Sequence, residues 1–167
     1  MRRERKAGPA EPPPDLFDEI DARLESSNQG RTWFFTEVRI RRRPTGIGRS
    51  YETLRCASSL ARIVLRNPIG PDSRPAVYGL LTEAFDAFAL GLRADVVLFK
   101  ALFRFARSEG YPVKQEWLAE LPGDDAAAAE DILARPVRDV SIDPERVSRW
   151  QLRLEDYLRN RAELDIE

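Results

Sequence analysis

The chain has no histidine, one cysteine and one methionine among its 167 residues. The lack of histidine removes the commonest general base, the usual partner of a serine or cysteine nucleophile, and the commonest transition-metal ligand. With Cys56 alone, an intramolecular disulfide and a cysteine-built zinc site are both excluded. Long apolar runs are missing too, since none approaches the roughly 18 residues needed to cross a bilayer. The basic start, Met1 to Lys6, is not followed by the apolar core of a signal peptide. These absences favour a cytoplasmic binding protein with no cofactor, no metal site and no membrane partner. Catalysis by carboxylates, lysine or bound magnesium stays open, but no paired carboxylates stand in a recognisable motif, so an enzyme is the least favoured class.

What is present describes a globular chain, 43% hydrophobic and 33% charged. Its length suits one ordinary domain, or one domain with an appended fragment. The formal net charge of −1 hides a division. Residues 1–66 carry 14 Lys and Arg against 9 Asp and Glu, whereas residues 67–167 carry 13 against 19. Such a split suggests a polyanion surface at one end only, with an accident of composition as the alternative.

Residues 1–14 hold four prolines and almost no large apolar side chain, and are expected to be flexible. Beyond them, Ile20, Ala22 and Leu24 alternate with charged residues at a strand period, although Leu16, Ile20 and Leu24 also fit a helix. The turn cluster from Ser26 to Gly30 and the aromatic and β-branched run from Arg31 to Ile40 decide for a β-hairpin around an Asn/Gly turn. Phe34, Thr36, Val38 and Ile40 share one face of its second strand; Trp33, Phe35, Glu37 and Arg39 share the other. Aromatics on both faces predict that the hairpin is covered on both sides or belongs to a larger sheet, since a two-stranded ribbon is marginal in water.

From Ser50 the period becomes helical. The pattern predicts a helix from a Ser50 cap to about Arg66, burying Tyr51, Leu54, Ala57, Ala61, Val64 and Leu65. A second helix is expected from about Ser73 to Leu90, with Val77, Leu80, Leu81, Ala84, Phe85 and Phe88 inward. A third, Ala94 to Ser108, buries Val97, Leu98, Ala101, Leu102 and Phe105 before Gly110. A short helical turn from Gln115 to Leu121 and a helix from Asp124 to Ala134 follow. Asp143-Pro144-Glu145 starts a last helix carrying Val147, Trp150, Leu154, Tyr157 and Leu158 and fraying near Arg161. The fold class is therefore mostly α: an irregular helical bundle over 50–167, preceded by a hairpin and an arginine-rich hinge over 15–49.

The sharpest chemical constellation is Arg39, Arg41, Arg42, Arg43 and Arg49 around Pro44-Thr45-Gly46-Ile47-Gly48. Arginine forks match phosphate oxygens, and a glycine-rich turn exposes backbone N–H groups near a helix start. Trp33 and its aromatic neighbours could stack unpaired bases. The alternative is that the arginines merely discourage edge pairing and the glycines merely turn the chain. Thr45 to Ser50 lacks the Gly-Lys-Ser/Thr ending and spacing of a nucleotide-binding phosphate loop. Asp15, Asp18, Glu19 and Asp21 could hold magnesium, but beside a basic strand they are expected to be solvated or paired with arginine. Cys56 is expected to be packed and unreactive. Trp117 and Trp150 are expected in the core, with a peptide-binding groove between helices as the alternative.

Three segments carry a resemblance: Gly46-Ile47-Gly48-Arg49-Ser50-Tyr51-Glu52-Thr53-Leu54, the run from Leu98 to Pro112 ending in Gly110-Tyr111-Pro112, and Trp33-Phe34-Phe35-Thr36-Glu37-Val38. Together they resemble the RecO family of DNA recombination mediators, over about residues 15–165. The resemblance implies an N-terminal OB-fold closed by the strand from Trp33, followed by a helical domain, in the bacterial cytoplasm at the nucleoid. It also implies a non-catalytic function: binding single- and double-stranded DNA, annealing strands, and helping recombinase replace single-strand-binding protein, with a RecR-type partner. Two departures stand out. A complete OB-fold needs five strands and only about two are visible, so the barrel is read as truncated or the start as too late. The cysteine zinc site of many family members is missing after Pro112, so zinc is not carried over.

Overall fold

The computed structural model of the chain describes residues 12–27 and 29–166. Most of the segment expected to be flexible, and Asn28 of the expected turn, lie outside those residues. The chain divides into two compact units, Met1–Pro44 and Thr45–Glu167.

The first unit is a hairpin of β1 (Glu19–Glu25) and β2 (Phe34–Arg42), paired antiparallel. Ile20 faces Ile40 and Ala22 faces Val38, while Asp21 faces Arg39 and Arg23 faces Glu37. Two register shifts leave Thr36 and Arg41 without an opposite residue, which are β-bulges that increase the local twist. The connecting loop turns on Gln29 and Gly30, both at positive φ (57° and 85°), and the Gly30 N–H donates to Ser26 Oγ at 2.8 Å. Before β1, the Asp15 N–H donates to Asp18 Oδ2 at 2.8 Å in a tight turn through Phe17, whose φ is 69°.

Among the described residues the sheet has two strands and no more. The covering that aromatics on both faces led us to expect is therefore not supplied by them. Trp33, Phe34 and Phe35 stand 58%, 55% and 64% exposed.

The second unit opens with a 3₁₀ turn, Ile47–Arg49, and five helices: α1 (Tyr51–Arg66), α2 (Arg74–Ala89), α3 (Ala94–Ser108), α4 (Asp125–Ala134) and α5 (Pro144–Asn160). These bounds fall within a residue of those the sequence pattern predicts, because the signals at their ends are local and strong. Ser50 accepts from the Thr53 N–H at α1, and Asp143 accepts from the Glu145 N–H ahead of Pro144 at α5. Gln115 to Leu121 is a run of turns rather than a helix.

The core is built around α3, where Val96, Val97, Leu98, Phe99, Leu102 and Phe105 are all buried, and α1, α2 and α5 pack against it. Phe99 lies between Trp117 and Trp150, with ring centroids 5.8 and 6.1 Å away. Both tryptophans are core residues. Cys56 is packed as expected, and burial pushes its thiol above the ordinary range.

Two polar devices close the ends of helices. Buried Asn67 donates to the carbonyls of Ile63 (2.7 Å) and Asp165 (2.8 Å) and accepts from the Asp165 N–H (3.0 Å), tying the end of α1 to the C-terminal segment. The Lys100 ammonium reaches from α3 to the carbonyls of Ile132, Leu133 and Arg135, capping α4. Burial there lowers its pKa.

One helix face departs from expectation. α1 buries Thr53, Cys56, Ala57, Leu60, Ile63 and Val64. Tyr51 and Leu65, expected inward, are 82% and 84% exposed, and Leu54 is exposed as well. Both sets have helical spacing, so the period alone could not choose between them. The Leu60 set faces α3 and wins the core.

Candidate nucleic-acid interface

Of the six residues singled out for DNA contact, five belong to the hairpin unit and Arg49 to the helical one. Cross-strand geometry brings acidic residues to most of the hairpin arginines. Arg43 holds Asp18 with a two-pronged guanidinium, Nε to Oδ1 at 3.0 Å and Nη2 to Oδ2 at 2.6 Å, while also donating to the Pro13 carbonyl at 2.8 Å. That side-chain hydrogen bond holds the Asp18 carboxyl below its ordinary range and raises Arg43. Arg42 pairs with Glu19 at 3.2 Å and Arg41 with Asp21 at 2.6 Å.

Three of the four residues of the acidic cluster, Asp18, Glu19 and Asp21, are therefore paired with arginine, one of the two outcomes expected, the other being solvation. Among the described residues no group of three or more His, Cys, Asp or Glu is placed to hold a metal.

This pairing changes the value of the arginine hinge. Residues 12–44 carry six arginines and six carboxylates, so the hairpin is neutral rather than basic. Phosphates would have to displace carboxylates from Arg41, Arg42 and Arg43. For the exposed Arg41 pair that exchange costs little, whereas Asp18 is almost fully enclosed at its side chain. Arg39 differs: Asp21 lies opposite in register but is engaged by Arg41, and Arg39 has no ion-pair partner among the described residues. It is exposed on the strand that follows Trp33.

Sequence reading missed a second basic surface. The outward face of α1 carries Arg55, Arg62 and Arg66 beside Tyr51, Leu54 and Leu65, with Arg49 just ahead of it and Glu52 as the helix's one carboxylate. Arg66 pairs with Asp165 at 3.0 Å, an exposed pair; Arg62 and Arg49 have no side-chain partner among the described residues. The signal was the spacing of Arg55, Arg62 and Arg66, which places all three opposite Leu60. It was masked by assigning Tyr51 and Leu65 to the core.

A groove of about 400 Å³ lies beside Trp117, lined also by Leu121, Leu152, Arg153, Tyr157 and Arg161. The Tyr157 hydroxyl donates to Glu116 at 2.8 Å, and burial together with that carboxylate pushes its pKa up to about 12. Arg161 is held by Glu120 at 2.7 Å and lies over the Tyr157 ring.

No family model, curated protein or solved structure matches this chain.

Proposed function

We propose that the chain is a non-catalytic DNA-binding accessory protein of repair and recombination. It binds unpaired and duplex DNA, assists strand annealing and recombinase loading, and works alongside a RecR-type protein and single-strand-binding protein, as its resemblance to the RecO family implies. The observation that carries this reading is the exposed run Trp33-Phe34-Phe35, followed on the same strand by Arg39. All three rings are more than half exposed, on both faces of the hairpin, and exposed aromatic rings are surfaces on which unpaired bases stack whatever their sequence. Arg39 and Arg49 supply uncompensated charge, and Arg41, Arg42 and Arg43 join when phosphate outcompetes their carboxylates.

The test is a titration of the full chain with single-stranded oligonucleotides at several salt concentrations. Replacing Trp33 and Phe35 with Ala is expected to weaken binding by roughly 1–3 kcal/mol per lost stack. Replacing Arg39, Arg41, Arg42 and Arg43 with Ala should flatten the salt dependence. Isotherms that match wild type in both variants would sink the reading.

The groove beside Trp117 supports a second reading, in which the helical unit holds a peptide of single-strand-binding protein or of another recombination partner without touching DNA. Its mixed apolar and arginine lining suits such a segment. Partner capture that survives removal of residues 1–49 would favour it, and capture lost with that deletion would count against it.

A further inference from the structure

We infer that the open edge of β2 is a self-association surface: two copies of the chain pair their β2 strands antiparallel about a two-fold axis through Val38, giving a four-stranded sheet. The hairpin supplies the need. Among the described residues β2 has a neighbour on one side only, so its other edge presents unpaired N–H and C=O groups, and two strands alone are marginal in water.

The strand's own sequence supplies the partner. With the axis at Val38 all nine residues overlap. Glu37 then faces Arg39 of the second copy, Thr36 faces Ile40, and Phe35 and Phe34 face Arg41 and Arg42. Opposite charges meet twice, and four arginine stems cover four exposed rings, contacts that stabilise antiparallel pairs. Moving the axis to Arg39 sets that arginine against its own copy, and moving it to Glu37 sets two carboxylates face to face.

Arginines on a strand edge ordinarily deter pairing. Here Arg41, Arg42 and Arg43 are already matched by Asp21, Glu19 and Asp18 within the hairpin, which leaves Arg39 as the uncompensated one. The two-fold arrangement brings it Glu37, whose contact within the hairpin, to Arg23, is a long 3.6 Å pair between exposed side chains. Residues directly opposite share a face, so Glu37 and Arg39 of both copies would lie on one side of the joined sheet, and Phe35, which the bulge at Thr36 sets opposite Leu24, on the other with Val38 and Ile40. The inference does not depend on DNA binding; pairing engages the same Phe34, Phe35 and Arg39, so a second copy and DNA compete for this strand.

Sedimentation velocity on the full-length protein, without nucleic acid and across a range of concentrations, is expected to give a monomer–dimer equilibrium. Arg39→Glu should weaken it roughly tenfold or more, because two attractive contacts become repulsive. Val38→Cys should form a disulfide-linked dimer under mild oxidation, since residues opposed across the axis have Cα atoms about 4.5–5.5 Å apart, within disulfide reach. Glu37→Cys and Arg39→Cys should each stay unlinked alone and cross-link when mixed. Buried Cys56 stays out of this exchange, and far-UV circular dichroism verifies the helical fold of each variant. A protein that is monomeric throughout overturns the inference. So does a dimer undiminished by Arg39→Glu, or cross-linking that favours position 37 or 39 over 38.

Discussion

Leu60 and Leu65 stand five residues apart on α1 and meet opposite fates, one fully buried and the other 84% exposed. Truncating Leu60 to Ala removes packing from the core and should cost about 2–5 kcal/mol, whereas Leu65→Ala should stay within about 0.5 kcal/mol of wild type. Thermal unfolding of the two variants decides which stripe is the inner one; equal losses would refute the assignment. Gly46 is constrained in a different way. A Cβ placed there would land on the Ala89 carbonyl, so the backbone of the 3₁₀ turn comes against α2 at a distance only glycine permits. Gly46→Ala should therefore destabilise the helical unit by about 1–3 kcal/mol, read as a lowered melting temperature. Gly48 meets nothing within reach of a Cβ, and Gly48→Ala is the matched control.

Elements were legible in the sequence where their signals are local. Ser50, the Asn67-Pro68 stop, Gly110 and Asp143-Pro144 each mark a helix end through chemistry confined to one turn, and the helices lie where those marks put them. The interior of α3 was legible only in part: the expected stripe of Val97, Leu98, Ala101, Leu102 and Phe105 is buried, but so are Val96, Phe99 and Phe103, because its apolar residues run nearly all round. α1 offered two apolar stripes, and only its neighbours could choose between them. The candidate site suffered most, because the partners of Arg41, Arg42 and Arg43 sit on β1 or in the turn just before it, about twenty or more residues away, and their register depends on two bulges that no spacing rule reveals. The Asp18–Arg43 pair has a pH signature. Asp18 is held below its ordinary range by Arg43, so the stability it lends the hairpin is complete above the unfolded carboxyl value and is lost as pH falls through the lower, folded one. The Asp18 side-chain carboxyl, followed by its own carbon-13 shift, should titrate below the ordinary aspartate range. Arg43→Ala should return that titration to the ordinary range, and an Asp18 carboxyl that already titrates there in wild type would rule out the pairing.

At the scale of the whole molecule, the two units differ in how they are held together. The helical unit has a continuous core around α3; the hairpin has half-buried Ile20, Val38 and Ile40 and a row of surface ion pairs. Local stability should follow that difference. In hydrogen–deuterium exchange at low protein concentration, α3 amides should be the slowest and β1 and β2 amides orders of magnitude faster. Comparable protection in both would show that the hairpin is anchored by more than its described contacts. The capped lysine under α4 has a consequence for how such a protein could be controlled. Of its 27 cationic side chains, 24 are arginine, and Lys100 is one of only three lysines. With its ammonium folded against three carbonyls, Lys100 is shielded from acylating reagents, whereas Lys114 is exposed beside Glu130. Arginine neither titrates near neutral pH nor accepts an acetyl group on nitrogen in the way lysine does. Lysine acylation therefore leaves 24 of the 27 positive side chains untouched, and what changes the availability of those 24 is competition among anions for the same guanidinium forks.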